Sequence, residues 1–399
     1  MPVEKYISPI TARMAVYENL INLVNCAVVD YSTMGHGLYN YGYIPRLTSS
    51  CASIKAFMTH ISETDIILGS TKKLYSAIDE LTKNYNFDAI FIMPSAIASV
   101  IGFDLAGVAR DLSAKFNKII ISFDVGLSLD YYQGNQVASL KLIEQFSKPS
   151  CDKKKNYYNL LGGFVNEFNY EADTREIVDL LHNALFLEPN FVYNGENTIE
   201  NFSNITSAEF NIVTSREAIP TAEYLQTKFN MPYIYFRPYG FDNTIKSLQE
   251  VAEKFSLQIN HDFLRREKNK YFNIYEQIKN IIKFVGKEIS VYAKYDIAYG
   301  ISKFLEEELC AKVEKLTDKE NTTAYCSYDE YIVTHKDYSG IIFTNDQVLK
   351  LLGKDRRLQV DNPVYAYKML SPYSLPLVSF SGACHICQLI SAELIGDRF

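Results

Sequence analysis

Two short patterns in this chain combine residue types that bind metals or carry out redox chemistry. In the first, Cys384 and Cys387 are separated by two residues, with His385 between them, and a C-x-x-C pair can bind a metal or cycle between dithiol and disulfide. The surrounding segment SGACHICQLISAELI has helical periodicity, however, and both cysteines would lie on one helix face beside apolar neighbours. We therefore predict that the two cysteines are packing residues.

The second pattern is the tripeptide Gly35-His36-Gly37, which follows a predicted strand. Glycine lets the backbone approach a ligand closely, and imidazole is a common metal ligand. The tripeptide is not part of a GxGxxG dinucleotide fingerprint, and the chain contains no GxxxxGK[ST] phosphate loop, no HExxH and no GxSxG. Motifs alone therefore assign no reaction.

The composition is that of a folded protein. The 399 residues are 47% hydrophobic and 22% charged, which excludes an intrinsically disordered chain. A net charge of −7 argues against nucleic-acid binding. We predict no membrane span, no signal peptide and a cytoplasmic location, because no apolar run reaches ~18 residues. In that reducing compartment the seven scattered cysteines are expected to be free thiols or metal ligands.

Short apolar runs alternate with segments of i, i+3, i+4 apolar spacing, which is typical of α/β domains with parallel sheets. The predicted strands are Ala27–Tyr31, Asp65–Leu68, Ala89–Met93, Ile119–Phe123, Leu160–Val165, Asn190–Tyr193, Asn211–Thr214, Tyr233–Phe236, Ile289–Tyr292, Lys312–Leu316 and Gly340–Thr344. The predicted helices are Leu74–Leu81, Ile97–Leu112, Thr174–Leu185, Thr221–Phe229, Asn243–Phe255, Asp262–Phe284, Ile297–Leu309 and Gly382–Leu394.

We predict three Rossmann-like α/β domains with parallel sheets around a central interdomain cleft. The polar run Cys151–Asn156 is interpreted as a linker and not as a binding patch. The predicted units are a first domain at 1–155, a second at 156–262, a linking helix at 263–285 and a third domain with a C-terminal helix at 286–399. Ligands of such sheets bind beyond the carboxyl ends of the strands, where the strand order reverses.

Several motifs of the first predicted domain occur in a recognisable order. Tyr31-Ser-Thr-Met-Gly-His-Gly-Leu-Tyr39 precedes Gly69-Ser-Thr-Lys-Lys-Leu74 and Val100-Ile-Gly-Phe-Asp104. These segments resemble the H-G-x-x-G-C-x-x-Y loop, the G-x-x-K-L helix and the [LV]-I-G-x-D segment of the nitrogenase component 1 family. That family includes the molybdenum–iron protein subunits, the scaffold proteins of its cofactor and the dark-operative protochlorophyllide reductase subunits.

The resemblance continues through the rest of the chain and covers about residues 10–395. Asn211-Ile-Val-Thr-Ser215 and Gly240-Phe-Asp-Asn-Thr244 resemble the second domain of the family, and Lys287–Tyr292 resembles the start of the third. Ser381-Gly-Ala383 resembles the opening of the last helix. The resemblance implies the same three-domain fold that the element pattern predicts.

The chain departs from the family at the positions of its metal ligands. The resemblance implies three cysteines per subunit that ligate an iron–sulfur cluster at a subunit interface. These positions fall near residues 6–12, where there is no cysteine, on His36 and on Ala96. The cysteine that binds the molybdenum–iron cofactor falls on Ser215, and no histidine occurs at 369–374, where its partner ligand belongs. Nitrogen fixation by this chain is therefore not expected.

The candidate site residues follow from these alignments. The cofactor-binding candidates are Gly35, His36, Gly37, Ser95 and Ser215. The metal-binding candidates are His36 and Cys51, for which one hypothesis is a site completed by a partner chain and the other is that Cys51 packs in the fold. The cofactor is accordingly an iron–sulfur cluster shared with a partner subunit, or none.

Two functions remain open from the sequence. The first is a component 1-like subunit of a two-component, ATP-dependent reductase or of a cofactor-maturation complex. Its expected partners are a second copy or a component 1-like paralogue, and a P-loop iron protein that supplies electrons. The second is a binding or scaffold protein that keeps the cleft and takes no part in electron transfer.

Overall fold

Helices and parallel strands alternate throughout the computed structural model. It describes residues 11–21, 23–35, 55–95, 98–99, 103–126, 129–164, 167–193, 197–286, 288–319, 322–354, 358–361 and 375–396. The strands are β1 (Cys26–Tyr31), β2 (Lys55–Met58), β3 (Ala89–Pro94), β4 (Ile120–Ser122), β5 (Lys154–Leu161), β6 (Glu188–Val192), β7 (Ala208–Val213), β8 (Tyr233–Tyr235), β9 (Ile289–Tyr292), β10 (Val313–Leu316), β11 (Ile341–Asn345) and β12 (Gln359–Asp361). The helices are α1 (Ala12–Ile21), α2 (Glu63–Ile67), α3 (Lys72–Asn84), α4 (Leu105–Phe116), α5 (Tyr131–Phe146), α6 (Tyr170–Leu185), α7 (Ile199–Ser203), α8 (Ile219–Phe229), α9 (Asp242–Phe255), α10 (His261–Val285), α11 (Tyr295–Lys303), α12 (Tyr328–Thr334), α13 (Asp346–Leu351) and α14 (Ser379–Gly396).

The strands form three parallel four-stranded sheets with one repeated topology. The orders are β2-β1-β3-β4, β6-β5-β7-β8 and β10-β9-β11-β12. In each sheet the strand that comes first in the chain lies inside, and the strand that comes second lies beside it at one edge. The third and fourth strands then follow on the opposite side of the first strand. The strand order therefore reverses beside the first and third strands, and the loops after those strands open the crevice where ligands of such sheets bind. This confirms the predicted α/β class.

The predicted strand Asp65–Leu68 is wrong, because this segment is mostly in helix α2. Ser62 and Asp65 bond reciprocally at the start of that helix: the backbone N–H of Ser62 donates to Asp65 Oδ2 at 2.9 Å, and the N–H of Asp65 donates to Ser62 Oγ at 3.3 Å. This capping arrangement favours a helix over the strand that the apolar run suggests. The edge strand next to β1 is instead β2.

The segment interpreted as a linker is shorter than predicted. Within Cys151–Asn156, the last three residues already belong to strand β5. The ammonium group of Lys153 donates to the backbone carbonyls of Thr206 at 2.7 Å and Ala208 at 3.1 Å, so this lysine ties the connection to the second sheet. The proposed domain limits stay a prediction, since the strands define the sheets and not the limits of independent folding units.

Two predicted helices begin or end differently in the structure. The helix predicted over Ile97–Leu112 is interrupted at Phe103 and Asp104. Helix α4 begins at Leu105, where Asp104 accepts the backbone N–H of Gly107 at 2.8 Å and caps the helix. The helix predicted over Ile297–Leu309 consists of α11 followed by a π-helical turn at Phe304–Glu308. The π-helical turn places the carboxylate of Glu308 against the start of α9, where it accepts the backbone N–H of Phe241.

Helix α10 fills the position where the charge pattern predicts a long amphipathic helix. Leu264, Ile278 and Ile282 are buried on the face that packs with the second and third sheets. Its ion pairs, such as Arg265 with Asp262, lie on the exposed side. No helix in the described ranges is both long and apolar enough to span a membrane.

The apolar core is continuous between the sheets. One cluster of buried residues contains Phe91 of the first sheet and Val213 of the second, and another contains Ile212 of the second sheet and Val291 of the third. Helix α1 is buried between such layers, and a side chain at Gly134 of α5 would collide with the backbone of α1. Shared core packing therefore holds the three sheets in fixed positions around the space between them.

Candidate functional site

The carboxyl edge of the first sheet carries two of the predicted binding residues. Ser95 follows β3 and is buried; its N–H donates to the carbonyl of Tyr31 at 3.0 Å, and its hydroxyl accepts the N–H of Ala98 at 3.3 Å. Gly35 follows β1 and is exposed. The roles of four further positions stay predictions, since these residues lie outside the described ranges: His36, Gly37, Cys51 and Ala96.

This edge does not fit an iron–sulfur cluster in its described residues. Cluster iron requires soft thiolate ligands, whereas Ser32 and Ser95 supply hydroxyl groups here. Cys26 begins β1 and so lies at the opposite edge, and burial raises the pKa of its thiol to about 12. No three His, Cys, Asp or Glu residues of the described chain are grouped so that they could hold a metal ion.

Ser215, the predicted cofactor-binding residue of the second sheet, is buried directly beyond β7. It caps the short 3₁₀-helix Arg216–Ala218 by accepting the N–H of Glu217 at 3.3 Å, and its hydroxyl also donates to the Glu217 carboxylate. Gly162 has φ +104°, and a Cβ there would lie 2.8 Å from the Cβ of Ser215, so only glycine fits beside it. The hydroxyl group of Ser215 is therefore bonded to Glu217 and holds this residue at the end of β7.

A cavity lies where the strand ends of the second and third sheets meet the start of helix α5. We call it the cleft cavity. The second sheet contributes residues from the loops after β5, β7 and β8, and the third sheet contributes residues from the loop after β9. Its lining consists of Tyr131, Tyr132, Asn135, Glu167, Glu217, Arg237, Lys294, Asp296 and Ile297. Ionisable side chains from the strand ends of two sheets therefore meet the start of helix α5 in this cavity.

Asp296 holds the second and third sheets together on one side of the cleft cavity. One carboxylate oxygen accepts the backbone N–H of Arg216 at 2.8 Å. The other accepts the hydroxyl of Tyr235 at 2.9 Å and lies 3.3 Å from Nε of Arg216. Both oxygens of this buried carboxylate are therefore committed to residues of the second sheet.

Arg237 is the buried cation of the cavity wall. Its Nη1 donates to the carbonyl of Thr214 at 2.7 Å and lies 3.8 Å from the carboxylate of Glu167. The other guanidinium nitrogens donate to the hydroxyl of Tyr239 at 3.2 and 3.0 Å. Burial alone would lower the pKa of Arg237, but Tyr239, Glu167 and Asp296 outweigh it, so the guanidinium stays charged.

Two carboxyl groups of the cavity are poised to hold protons. Burial raises the pKa of Glu217, and the charges of Asp296 and Glu167 raise it further. Burial also raises the pKa of Glu167, although the neighbouring Arg237 and Lys294 oppose that rise. A raised pKa brings a carboxyl group closer to the range in which a general acid works.

A second cavity adjoins the first and shares Glu167 and Arg237 with it. It lies between the start of α6 and the segment before α14, where Asp173 accepts the N–H of Leu377 at 2.7 Å. Burial raises the pKa of Asp173 to about 7. The Glu167–Arg237 pair thus forms part of the wall of both cavities.

Sequence reasoning missed most of the residues that line the cleft cavity. Arg237 and Asp296 each follow a correctly predicted strand by a few residues. Glu167 follows β5, Lys154–Leu161, which the predicted strand Leu160–Val165 overlaps only at Leu160 and Leu161. That position, polar and just beyond a buried strand, is the signal that could have identified them. The buried pair Cys384 and Cys387 agrees with the packing prediction, and burial raises the pKa of both thiols.

Curated relatives share part of this chain. The nitrogenase iron-molybdenum cofactor biosynthesis protein NifE of Methanococcus maripaludis is 27% identical over 241 residues, which are 60% of this chain and 48% of that protein. A light-independent protochlorophyllide reductase chain of Chaetosphaeridium globosum is 25% identical over 366 residues, 81% of this chain and 70% of its own. The chain spans about half the length of the NifE relatives it matches.

The fold has a solved counterpart, and a family model covers most of the chain. The structure described as "Nitrogenase Cp1 at pH 6.5" superposes with a TM-score of 0.78 at 14% identity, covering 100% of this chain and 96% of the other. The family model for nitrogenase component 1 type oxidoreductases matches residues 24–337. The chain therefore belongs to the nitrogenase component 1 type oxidoreductase family.

Proposed function

We propose that this chain is a component 1-like subunit of a two-component reductase or of a cofactor-maturation complex, and that its ligand binds in the cleft cavity. The observation that carries the proposal is the meeting of strand ends from two sheets and the start of α5 around buried ionisable groups. Reduction of a bound ligand consumes protons as well as electrons, and Glu167 and Glu217 have the raised pKa values that proton donation needs. The names of the NifE and protochlorophyllide reductase relatives support both versions of the role.

In this proposal a partner subunit supplies most of the protein ligands of an iron–sulfur cluster. The described residues of the first sheet offer hydroxyl groups where thiolates are needed, so the ligands would come from a component 1-like paralogue, with His36 and Cys51 of this chain as candidates. A second copy of this chain is the alternative partner. Electrons would come from a P-loop iron protein that hydrolyses ATP, a partner that the family resemblance implies; this sequence itself contains no GxxxxGK[ST] motif.

Nitrogen fixation is outside this proposal. The residue at the family's cofactor position is Ser215, whose hydroxyl is bonded within the protein to Glu217. A serine hydroxyl is a poor ligand for soft metal centres, for which thiolate is preferred. The ligand is therefore expected to be bound by hydrogen bonds and charge in the cleft cavity.

The proposal predicts a component 1-like gene and a P-loop iron-protein gene beside the gene of this chain, and anaerobic co-expression of the three tests it. We expect a stable complex that contains iron and acid-labile sulfide, and ATP hydrolysis by the iron protein that increases when the complex is added. Glu217→Gln should leave the assembly and the metal content of the complex unchanged. It should slow the reduction of the ligand bound in the cleft cavity by about tenfold, because an amide cannot donate the proton. Glu306→Gln, a change at an exposed residue, is the matched control.

The second candidate is a binding or scaffold protein that takes no part in electron transfer. The observation in its favour is the commitment of both Ser95 and Ser215 to hydrogen bonds inside the fold. A colourless, iron-free protein that forms no complex with either partner would overturn the reductase proposal and favour this one.

A further inference from the structure

Tyrosine side chains form a continuous column from the cleft cavity into the third sheet. Tyr132 lines the cavity, and its hydroxyl donates to Asp318 Oδ1 at 2.6 Å. The hydroxyl of Tyr328 donates to the other oxygen of the same carboxylate at 3.1 Å. The centre of the Tyr328 ring lies 5.2 Å from that of the Tyr292 ring, which stacks on Tyr331 with 4.2 Å between the ring centres. The column therefore begins at the cavity wall and continues behind it.

The column ends near the surface of the third sheet. The imidazole of His335 stacks on the ring of Tyr331 with 3.9 Å between their centres, and the half-buried ring of Tyr338 lies 5.1 Å from the imidazole. From Tyr328 to Tyr338, successive ring centres are thus 3.9 to 5.2 Å apart. We call these six residues the tyrosine column: Tyr132, Tyr328, Tyr292, Tyr331, His335 and Tyr338.

Packing alone does not account for the hydroxyl groups of the column. Phenylalanine fills almost the same space, and burying a hydroxyl costs free energy unless the group is hydrogen-bonded. In the second sheet, Tyr193 packs among three phenylalanine rings. In the column, by contrast, each buried ring from Tyr132 to Tyr331 carries a hydroxyl, and each of these hydroxyls is hydrogen-bonded.

Hydroxyls at both ends of the buried part of the column lead to carboxylates. At the cavity end, Asp318 accepts the hydroxyls of the first two tyrosines. At the other end, Ser290 Oγ donates to Glu314 Oε2 at 3.0 Å and lies 2.8 Å from the hydroxyl of Tyr331. Since a serine has a single hydroxyl proton, Tyr331 is the donor to Ser290. His335 Nε2 lies 2.6 Å from the same oxygen of Glu314, whose side chain is exposed. A proton from Tyr331 therefore has a route to the surface.

Such an arrangement suits the transfer of single electrons. Burial raises the pKa values of the four buried tyrosines, so each phenol keeps its proton at neutral pH. A phenol that loses an electron becomes strongly acidic and releases its proton, so a proton acceptor at the hydroxyl favours the oxidation. Closely spaced rings then let the electron vacancy move from one tyrosine to the next.

We propose that the tyrosine column passes single electrons from the surface to superoxide in the cleft cavity and so removes this oxidant from the ligand site. Superoxide forms when dioxygen takes one electron from a reduced ligand. The inference rests on the proposed function only in taking the cleft cavity as the site of a reducible ligand. It adds a protective activity, carried by residues of this chain alone.

The electrons and protons of this step balance. Superoxide takes one electron from Tyr132, whose proton moves to Asp318, and with two protons from water it leaves as hydrogen peroxide. Tyr331 replaces the electron through the two tyrosines between them, and Asp318 returns its proton to Tyr132. The proton of Tyr331 passes through Ser290 to Glu314.

A soluble thiol then restores the column. It gives one electron through Tyr338 to Tyr331, becomes a thiyl radical and releases its proton to water. Glu314 returns the stored proton to Tyr331 through Ser290. The net change is the reduction of one superoxide to hydrogen peroxide and the oxidation of one thiol by one electron.

A ruthenium complex fixed at the mouth of the cavity tests the electron path. Lys319 suits the attachment, because its ammonium group lies 4.8 Å from the centre of the Tyr132 ring. The parent chain for labelling carries Lys319→Cys together with Cys51→Ser, Cys151→Ser and Cys310→Ser, and a tris(bipyridine)ruthenium complex is attached at position 319. A laser flash with hexaammineruthenium(III) as soluble quencher then produces a Ru(III) centre, which takes one electron from the column.

We expect a tyrosyl radical in the electron paramagnetic resonance spectrum. Capture with a nitroso spin trap, followed by peptide mass mapping, should place the radical at Tyr331 and Tyr338. Tyr331→Phe should abolish the adduct at Tyr338 and leave adducts at Tyr132 or Tyr328, because phenylalanine resists oxidation. Circular dichroism of the variant checks that the fold is kept.

Ser290→Ala separates the electron path from ring packing. It keeps every ring of the column but breaks the proton route from Tyr331 to Glu314, so the yield of the adduct at Tyr338 should fall. Tyr193→Phe is the matched control, because it also removes a buried hydroxyl, one that donates to Asn19 at 2.7 Å, but lies outside the column. It should leave the yield unchanged.

Adducts confined to Tyr132 and Tyr328 in the parent chain would overturn the proposal, as would equal losses in Tyr331→Phe and Tyr193→Phe. The flash experiment needs no cluster, no ATP and no ligand. A failure of the co-expressed complex to contain iron would therefore reject the reductase role while the electron path is tested by itself.

Discussion

Arg216 and Asp296 join the second sheet to the third through the backbone and the side chain of one arginine. The Arg216 N–H donates to Asp296 Oδ2 at 2.8 Å, while its Nε lies 3.3 Å from Oδ1. The same arginine lies over Tyr295, the residue before this aspartate. Because Asp296 is buried, its charge is compensated only if the two sheets keep this relative position.

Asp296→Ala is expected to lower the free energy of unfolding by about 2–4 kcal/mol, because the Arg216 N–H and the Tyr235 hydroxyl lose their acceptor. Urea denaturation followed by circular dichroism measures the loss. Asp79→Ala is the control: it removes an exposed ion pair with Lys83 within helix α3, and should change stability by less than ~0.5 kcal/mol. Equal effects of the two substitutions would contradict the role of Asp296 between the sheets.

Glu308 caps the start of helix α9 from a distant part of the chain. Its carboxylate accepts the backbone N–H groups of Phe241 at 2.8 Å, Asp242 at 3.1 Å and Asn243 at 3.0 Å, at the start of helix α9. In urea denaturation, Glu308→Ala should lower the free energy of unfolding by about 3–5 kcal/mol. Glu308→Gln should lower it by only about 1–2 kcal/mol, because the amide keeps one acceptor oxygen. The exposed neighbour Glu306→Ala should have little effect; a comparable loss there would argue against the cap.

The raised pKa of Asp173 predicts a pH dependence of stability. Burial raises this pKa from 3.8 to about 7 in the folded chain. The folded state therefore binds the proton more tightly than the unfolded state, and the contribution of Asp173 to stability falls as the pH rises from about 4 to about 7. Asp173→Asn keeps an acceptor for the Leu377 N–H and removes this loss. The free energy of unfolding of the variant, relative to that of the wild type, should therefore rise by about 1–3 kcal/mol between about pH 4 and about pH 7.

Urea denaturation at several pH values measures this difference. Asn169→Ala provides the comparison, since it breaks the neighbouring bond to the carbonyl of Leu375, 2.6 Å away, without removing a titratable group. Its effect should be the same at each pH. A pH profile of Asp173→Asn parallel to that of the wild type would show that Asp173 does not titrate in this range.

Thiol labelling of the native protein should separate the cysteines by burial. Cys151 and Cys310 are exposed and should react within minutes with a disulfide reagent. Cys326 and Cys387 are buried, and burial raises the pKa of the Cys326 thiol to about 12 and also raises that of Cys387, so both should react only after unfolding. Peptide mass mapping identifies the labelled positions. Fast labelling of Cys387 would contradict its role as a packing residue of helix α14.

The order of strands and helices was predictable because it depends on local patterns. The run Ala89–Met93 is continuously apolar, and Ile289–Tyr292 is apolar except for Ser290. Both are strands in the structure and are buried throughout, as expected for parallel strands that are covered on both faces. The failure at Asp65–Leu68 has a local cause as well: an apolar run of only three residues, from 66 to 68, fits a strand or a helix, and the bonds between Ser62 and Asp65 decide for the helix.

For the candidate site, too, some features follow from the sequence and others only from the tertiary structure. The sequence by itself determined the family resemblance, the missing thiolate ligands and the position of Ser215 directly after a strand. Only the tertiary structure decided that Arg216 would meet Asp296, eighty residues further along the chain, and that Lys319 would lie between Tyr132 and Tyr295. The physical reason is that periodicity records which residues are buried, whereas the packing of one sheet against another selects which of their strand ends share a cavity.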